Sequence, residues 1–114
     1  MKKGDVYIAD LSGSRGSEQS GTRPVLVIQS DKITKYTQTV VAIPITTNLR
    51  RAQIPGCVLL QQGEGGLIQD SVALCYQIKV LAKSRLMNKI GSLSSDVLKQ
   101  VEDALRITFD MTTH

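Results

Sequence analysis

A succession of short β-branched runs, each ended by a polar or glycine-containing turn, constrains this chain more than any other feature. Val6-Tyr7-Ile8-Ala9 reads as a first strand behind Gly4-Asp5, Pro24 to Gln29 as a second, and Thr39 to Thr46 as a third. Their apolar residues run together rather than alternating, the pattern of strands buried on both faces. Pro44 has no amide hydrogen to give a ladder, so the third run is expected at an edge or with a bulge. Asp31 to Tyr36 reads as a short helical turn between the second and third strands. Cys57 to Leu60 forms a short strand closed by Gly63-Glu64-Gly65-Gly66, Ser71 to Leu81 a long one, and Asn88 to Leu93 a last. Ser94 or Ser95 then caps a helix, with Asp96 near its positive end and Val97, Val101, Ala104, Leu105 and Thr108 on one apolar face. The expected architecture is mainly β: a small, strongly bent antiparallel sheet or barrel closed by a C-terminal helix.

The 114 residues contain no repeat, low-complexity stretch or linker and read as one domain, long enough to bury roughly two-thirds of its extended-chain surface. No apolar run approaches the length of a membrane span, and Met1-Lys2-Lys3-Gly4-Asp5 lacks the apolar stretch of a signal peptide. Cys57 and Cys75 each lie in an apolar, strand-like run without Cys-x-x-Cys spacing, so buried thiols are expected rather than a disulfide or metal site. A cytoplasmic location is the corresponding expectation. The net charge of +4 and pI near 9.3 fit an acidic partner, nucleic acid or polypeptide. Aromatic residues are few and tryptophan is absent, which argues against a platform for stacking successive bases.

The polar loop Gly16-Ser17-Glu18-Gln19-Ser20-Gly21-Thr22 delivers Arg23-Pro24 directly into the second strand. A guanidinium at the root of a rigid strand suits a phosphate, because its donors form a fixed fork and its charge is permanent. A solvated charge on a hairpin is the alternative. The single histidine is His114, which argues against histidine pairs, serine–histidine relays and histidine-held metals. Gly63-Glu64-Gly65-Gly66 lacks the Gly-Lys-Ser/Thr of a nucleotide loop. Catalysis, if present, must use Arg, Thr, Ser, Asp, Glu or Lys without a metal or other cofactor. RNA cleavage tolerates that set, since the ribose 2′-hydroxyl is itself the nucleophile. The protein has only to align the chain, help move a proton and stabilise charge on phosphorus-bound oxygens.

Gly4-Asp5-Val6-Tyr7, Ala9-Asp10-Leu11, Gly16-Ser17-Glu18-Gln19, Gly21 with Arg23-Pro24-Val25-Leu26-Val27-Ile28, Pro44-Ile45-Thr46-Thr47, Asp70-Ser71-Val72 and Gln77-Ile78 follow one another over nearly the whole chain. In these pieces, their order and their spacing, the chain resembles the MazF/PemK toxins of bacterial toxin–antitoxin systems from end to end. The resemblance implies an SH3-like barrel with a C-terminal helix, paired as a homodimer. It also implies a sequence-specific, metal-independent endoribonuclease that cuts single-stranded mRNA and is neutralised by an acidic, MazE-like antitoxin. Arg23 and Thr46 match the family's catalytic pair; Ser17, Glu18, Gln19, Asp70 and Gln77 fall at RNA-contacting positions. The general base is left open among Glu18, Asp70 and water. Thr46 as a strand-ending hydroxyl, Asp70 as a partner for turn amides and Gln77 as the polar face of a strand are the structural alternatives. Ile68-Gln69 stands where many relatives carry Glu-Arg, and Tyr76 where an acidic residue is common, so a different RNA sequence is expected to be recognised. The competing functions are a CcdB-like gyrase poison, which the absence of a Trp-Gly-Ile-like tail opposes, and a non-catalytic nucleic-acid-binding barrel.

Overall fold

The computed structural model describes residues 1–13 and 21–111. Seven strands form one antiparallel sheet: β1 (Asp5–Asp10), β2 (Thr22–Val27), β3 (Thr39–Thr46), β4 (Cys57–Leu60), β5 (Ser71–Leu74), β6 (Lys79–Ala82) and β7 (Leu86–Ser92), in the order β4-β5-β3-β2-β1-β7, with β6 also on β3. A short helix α1 (Asp31–Thr34) follows β2, and a longer helix α2 (Ser95–Thr108) ends the described chain. The mainly β, bent-sheet reading with a C-terminal helix holds. The third and fourth strands keep the bounds read from sequence.

The second strand ends at Val27 rather than Gln29. Gln29 leaves the ladder because its buried amide is used elsewhere: Nε2 donates to Thr34 Oγ1 at 3.0 Å, and Oε1 accepts from the Val41 N–H at 3.3 Å. That amide pins α1 against β3. Ser30 caps α1, its side chain accepting from the Lys32 N–H.

The expected long strand from Ser71 to Leu81 is broken, and Pro44 explains where. Thr46 pairs with Val72 and Ala42 with Lys79, so four steps along β3 are matched by seven along the opposite chain. The surplus residues bulge out at Cys75–Ile78, opposite Ile43 and Pro44, which pair only with β2. The Gln77 N–H bonds the Leu74 carbonyl at 2.9 Å to close this bulge as a tight turn. Pro44 is therefore in a central strand, beside a bulge, and not at an edge.

Two apolar clusters flank the sheet. The larger contains Val6, Leu26, Ile43, Ile45, Leu60 and Val101 and is covered by α2; the smaller contains Ala9, Leu11, Val25, Val27, Ala42 and Leu81. Ser94 is the helix cap, accepting from the Val97 N–H, and Val101 and Ala104 are the buried residues of the helix. Burying a Leu, Ile or Val side chain of these clusters contributes about 1.5–3 kcal/mol each.

The turn Glu64–Gly66 crosses β7 backbone against backbone. A Cβ on Gly91 would lie 2.5 Å from the Gly65 carbonyl carbon, and Gly66 has φ +81°. Glu64 Oε1 also accepts the Ser94 N–H at 2.6 Å, joining this turn to the start of α2.

Candidate active site

Arg23 enters β2 paired with Ala9 of β1. The β2–β3 register matches Val25 to Pro44. That pairing ends there, and Arg23 and Thr46 each lie two residues beyond it on their strands. Directly opposed residues of an antiparallel pair share a face, so both side chains rise on the same side of the sheet. Arg23 is half-buried at the strand root, and Thr46 is buried at the end of β3.

Thr46 Oγ1 accepts the Asn48 N–H at 3.2 Å. The strand-ending hydroxyl bond considered from sequence is thus present, and it is compatible with chemistry. It fixes the oxygen while its own O–H hydrogen remains to be donated. A permanent cation opposite an oriented hydroxyl donor can hold a phosphate and stabilise charge arriving on its oxygens.

Asp70 is exposed before β5, and its Oδ1 accepts the Gln62 N–H at 2.8 Å, the turn-amide role anticipated as an alternative. Gln77 does not lie in a strand. It sits in the bulge opposite Pro44, because a seven-residue stretch cannot match four positions of β3 in regular pairing. Its Nε2 donates to the Tyr76 hydroxyl at 3.2 Å. Ser17, Glu18 and Gln19 lie outside the described residues.

Sequence reasoning did not single out Arg51. It occupies a 3₁₀ turn, Leu49–Gln53, capped by the Asn48 side chain, which accepts the Arg50 N–H at 3.2 Å. Arg51 Nη1 donates to the same Tyr76 hydroxyl that receives Gln77. Tyr76 is thereby held from two sides at the bulge. The available signal was the Arg50-Arg51 doublet shortly after Thr46-Thr47-Asn48.

Cys57 and Cys75 are free thiols, half-buried and buried respectively. Burial, with a smaller contribution from Cys57, pushes the Cys75 thiol up to about 12. Burial also raises Cys57, outweighing the opposing charge of Arg51. Neither forms a thiolate nucleophile at neutral pH. Among the described residues no helix is long and apolar enough to cross a membrane.

Residues 2–109 match the family model described as the PemK-like, MazF-like toxin of type II toxin–antitoxin systems. An endoribonuclease MazF from Staphylococcus saprophyticus is 43% identical over 113 residues, covering 99% of this chain and 94% of that protein. A crystal structure of MazF from Deinococcus radiodurans is 25% identical, with a TM-score of 0.82 and 97% of each chain covered. A mycobacterial endoribonuclease, solved in complex with its cognate antitoxin, shares the fold at a TM-score of 0.84 and 23% identity, covering 100% of this chain and 99% of that one. With its family pattern matched nearly end to end, and the fold shared with solved relatives, the chain belongs to the PemK-like, MazF-like toxins of type II toxin–antitoxin systems.

Proposed function

We infer that this endoribonuclease toxin cuts single-stranded RNA at the Arg23–Thr46 strip, by attack of the ribose 2′-hydroxyl on the adjacent phosphorus. The observation that supports this reading is the β2–β3 register, which pairs Val25 with Pro44 and leaves Arg23 and Thr46 each two residues beyond that pair. A new bond forms between O2′ and phosphorus while the bond from phosphorus to O5′ breaks. The 2′-hydroxyl proton passes to Glu18, Asp70 or water, and the departing 5′-oxygen takes up a proton. The products are a 2′,3′-cyclic phosphate and a 5′-hydroxyl. No metal is required, because the nucleophile belongs to the substrate.

Arg23 neutralises the phosphate and the charge that develops on its non-bridging oxygens. Its pKa, above about 12, makes it a clamp first and a proton donor only to a strongly basic leaving oxygen. Thr46 donates its O–H to the phosphate, its oxygen being held by Asn48. Asp70, Gln77 and the segment of Ser17, Glu18 and Gln19 contact the RNA around the cut. Ile68 and Tyr76, placed where charged residues are common among relatives, give this chain its own sequence preference.

An acidic antitoxin competes with RNA for the same positive surface, a role supported by the complexes that relatives form with their antitoxins. The active form is a homodimer, and its compartment is the cytoplasm. The test is incubation with a long, weakly structured RNA in excess EDTA, followed by mapping of the ends. Cuts at one short recurring motif, bearing 5′-hydroxyls and lost in Arg23→Ala, are expected. Intact RNA across diverse substrates would contradict the reading and favour a binding-only or gyrase-directed role.

A further inference from the structure

Thr46 ends β3, and its main chain is held by pairing with Val72 of β5. Its hydroxyl and its methyl group are nearly equal in size. Packing around a threonine that is only 5% exposed therefore does not decide which of the two branches takes which position. A hydrogen-bond donor does decide it, because a methyl group cannot accept. That donor is the Asn48 N–H, 3.2 Å from Oγ1. The rotamer of Thr46, and with it the placement of its own O–H, is set by residue 48.

Asn48 is exposed and lies beyond the end of β3, so no strand pairing fixes its amide. Its own acceptors do. Oδ1 accepts the Arg50 N–H at 3.2 Å and the Asn48 carbonyl accepts the Arg51 N–H at 3.1 Å, so both grip the 3₁₀ turn Leu49–Gln53. A short polar side chain that bonds the amide two residues on is what locks such a turn. The far end of the turn is anchored as well. The Arg51 carbonyl accepts the Ile54 N–H at 3.1 Å, and the Ile54 carbonyl accepts the Cys57 N–H at 3.1 Å at the start of β4. The Arg51 side chain reaches the Tyr76 hydroxyl. A turn fixed to its neighbours thus holds Asn48, and Asn48 holds Thr46.

We propose that Asn48 is a positioning residue for RNA cleavage: its side chain caps the turn, which aims its main-chain N–H at Thr46 Oγ1 and keeps the threonine O–H directed at the reacting phosphate. The proposal rests on the reading of Thr46 as a donor to that phosphate. Asn48 acts through Thr46 and not by touching the RNA. Its effect on rate should therefore depend on the threonine hydroxyl being present.

The test uses the full chain with Asn48→Ala, which removes the cap, and Asn48→Ser, which returns a side-chain oxygen able to cap. Each is made in the wild-type and Thr46→Val backgrounds. The kcat and KM for a single-stranded RNA are measured, with thermal unfolding alongside. Asn48→Ala should lower kcat about 10- to 100-fold, the cost of a misplaced group, with KM near wild type. Asn48→Ser should regain most of that rate. In the Thr46→Val background Asn48→Ala should slow cleavage about twofold or less, since the group it positions is gone. Three-bond couplings of Thr46 by NMR should report one χ1 rotamer in the wild type and an average of rotamers in Asn48→Ala. An undiminished kcat in a folded Asn48→Ala would overturn the proposal. So would an equal rate loss in both backgrounds or a loss confined to KM, either of which would assign Asn48 to direct contact with the RNA. Wild-type protein that leaves RNA intact would instead strike the cleavage reading, and the rotamer measurement would still decide whether Asn48 orients Thr46.

Discussion

At the seam where the Glu64–Gly66 turn meets β7, polar groups serve the protein itself. Asp5 accepts from Ser92 Oγ at 2.8 Å and from the Lys2 N–H at 2.8 Å, and pairs with Lys89 at 3.4 Å. Burial raises its pKa, but Ser92, the Lys2 amide and Lys89 together outweigh it and hold the carboxyl below its ordinary value. At the β2–β3 strip, by contrast, a permanent cation and a hydroxyl that has accepted one bond and retains its hydrogen lie at corresponding positions just beyond the Val25–Pro44 pair. One region spends its polar groups on holding strands together; the other carries the residues read as the cleavage pair. Substitutions should therefore separate stability from activity.

The largest effect is expected from Arg23→Ala. Loss of one preorganised group that stabilises developing charge costs about 10²–10³ in rate, whereas a change at a half-exposed strand root costs within about 0.5 kcal/mol of stability. Rates of RNA cleavage and thermal unfolding of the same preparation check both halves. Thr46→Val blurs the two regions, because it removes the donor and also strips the Asn48 N–H of its acceptor. A similar rate loss is expected together with roughly 1–3 kcal/mol of destabilisation. Thr46→Ser should recover most of both.

Gly91→Ala sharpens the comparison from the other side. Its methyl group would meet the main chain of Gly65, so about 1–3 kcal/mol of stability should be lost. Denaturant unfolding measures that loss, and kcat of the folded fraction should stay near wild type. Asp5 gives a pH signature of the seam alone. Its folded pKa is depressed, so its stabilisation is fully present above the unfolded value of about 3.9 and disappears as pH falls through the lower folded value. The Tm gap between wild type and Asp5→Asn should be constant at neutral pH and close in acid. The smallest effect is expected from Tyr76→Phe, which removes the shared acceptor of Arg51 and Gln77. Stability should change by about 1 kcal/mol, while sequencing of RNA ends should reveal an altered cleavage preference.

Legibility in the sequence followed the range of the interactions. β3 and β4 were readable because continuous apolar, β-branched runs have few alternatives, and α2 because a serine cap precedes a periodic apolar face. Pro44 announced a bulge, yet which chain would bulge depended on β5 and β6 both pairing with β3, a non-local fact. The uninterrupted Ser71–Leu81 strand failed for that reason, and Gln77 moved from a strand face to a turn. Arg51 escaped notice because its partner, Tyr76, lies 25 residues away in sequence. Arg23 and Thr46 were legible as residues through the family pattern, but their opposition is a property of register that a single run cannot express.

That opposition is tested most directly by a double-mutant cycle on RNA cleavage with Arg23→Ala, Thr46→Val and the two combined. Groups acting on one phosphate in one transition state are not independent, so the double variant should be little slower than the slower single variant. Rate losses that multiply in full, or a Thr46→Val enzyme as fast as wild type, would contradict a shared site across β2 and β3.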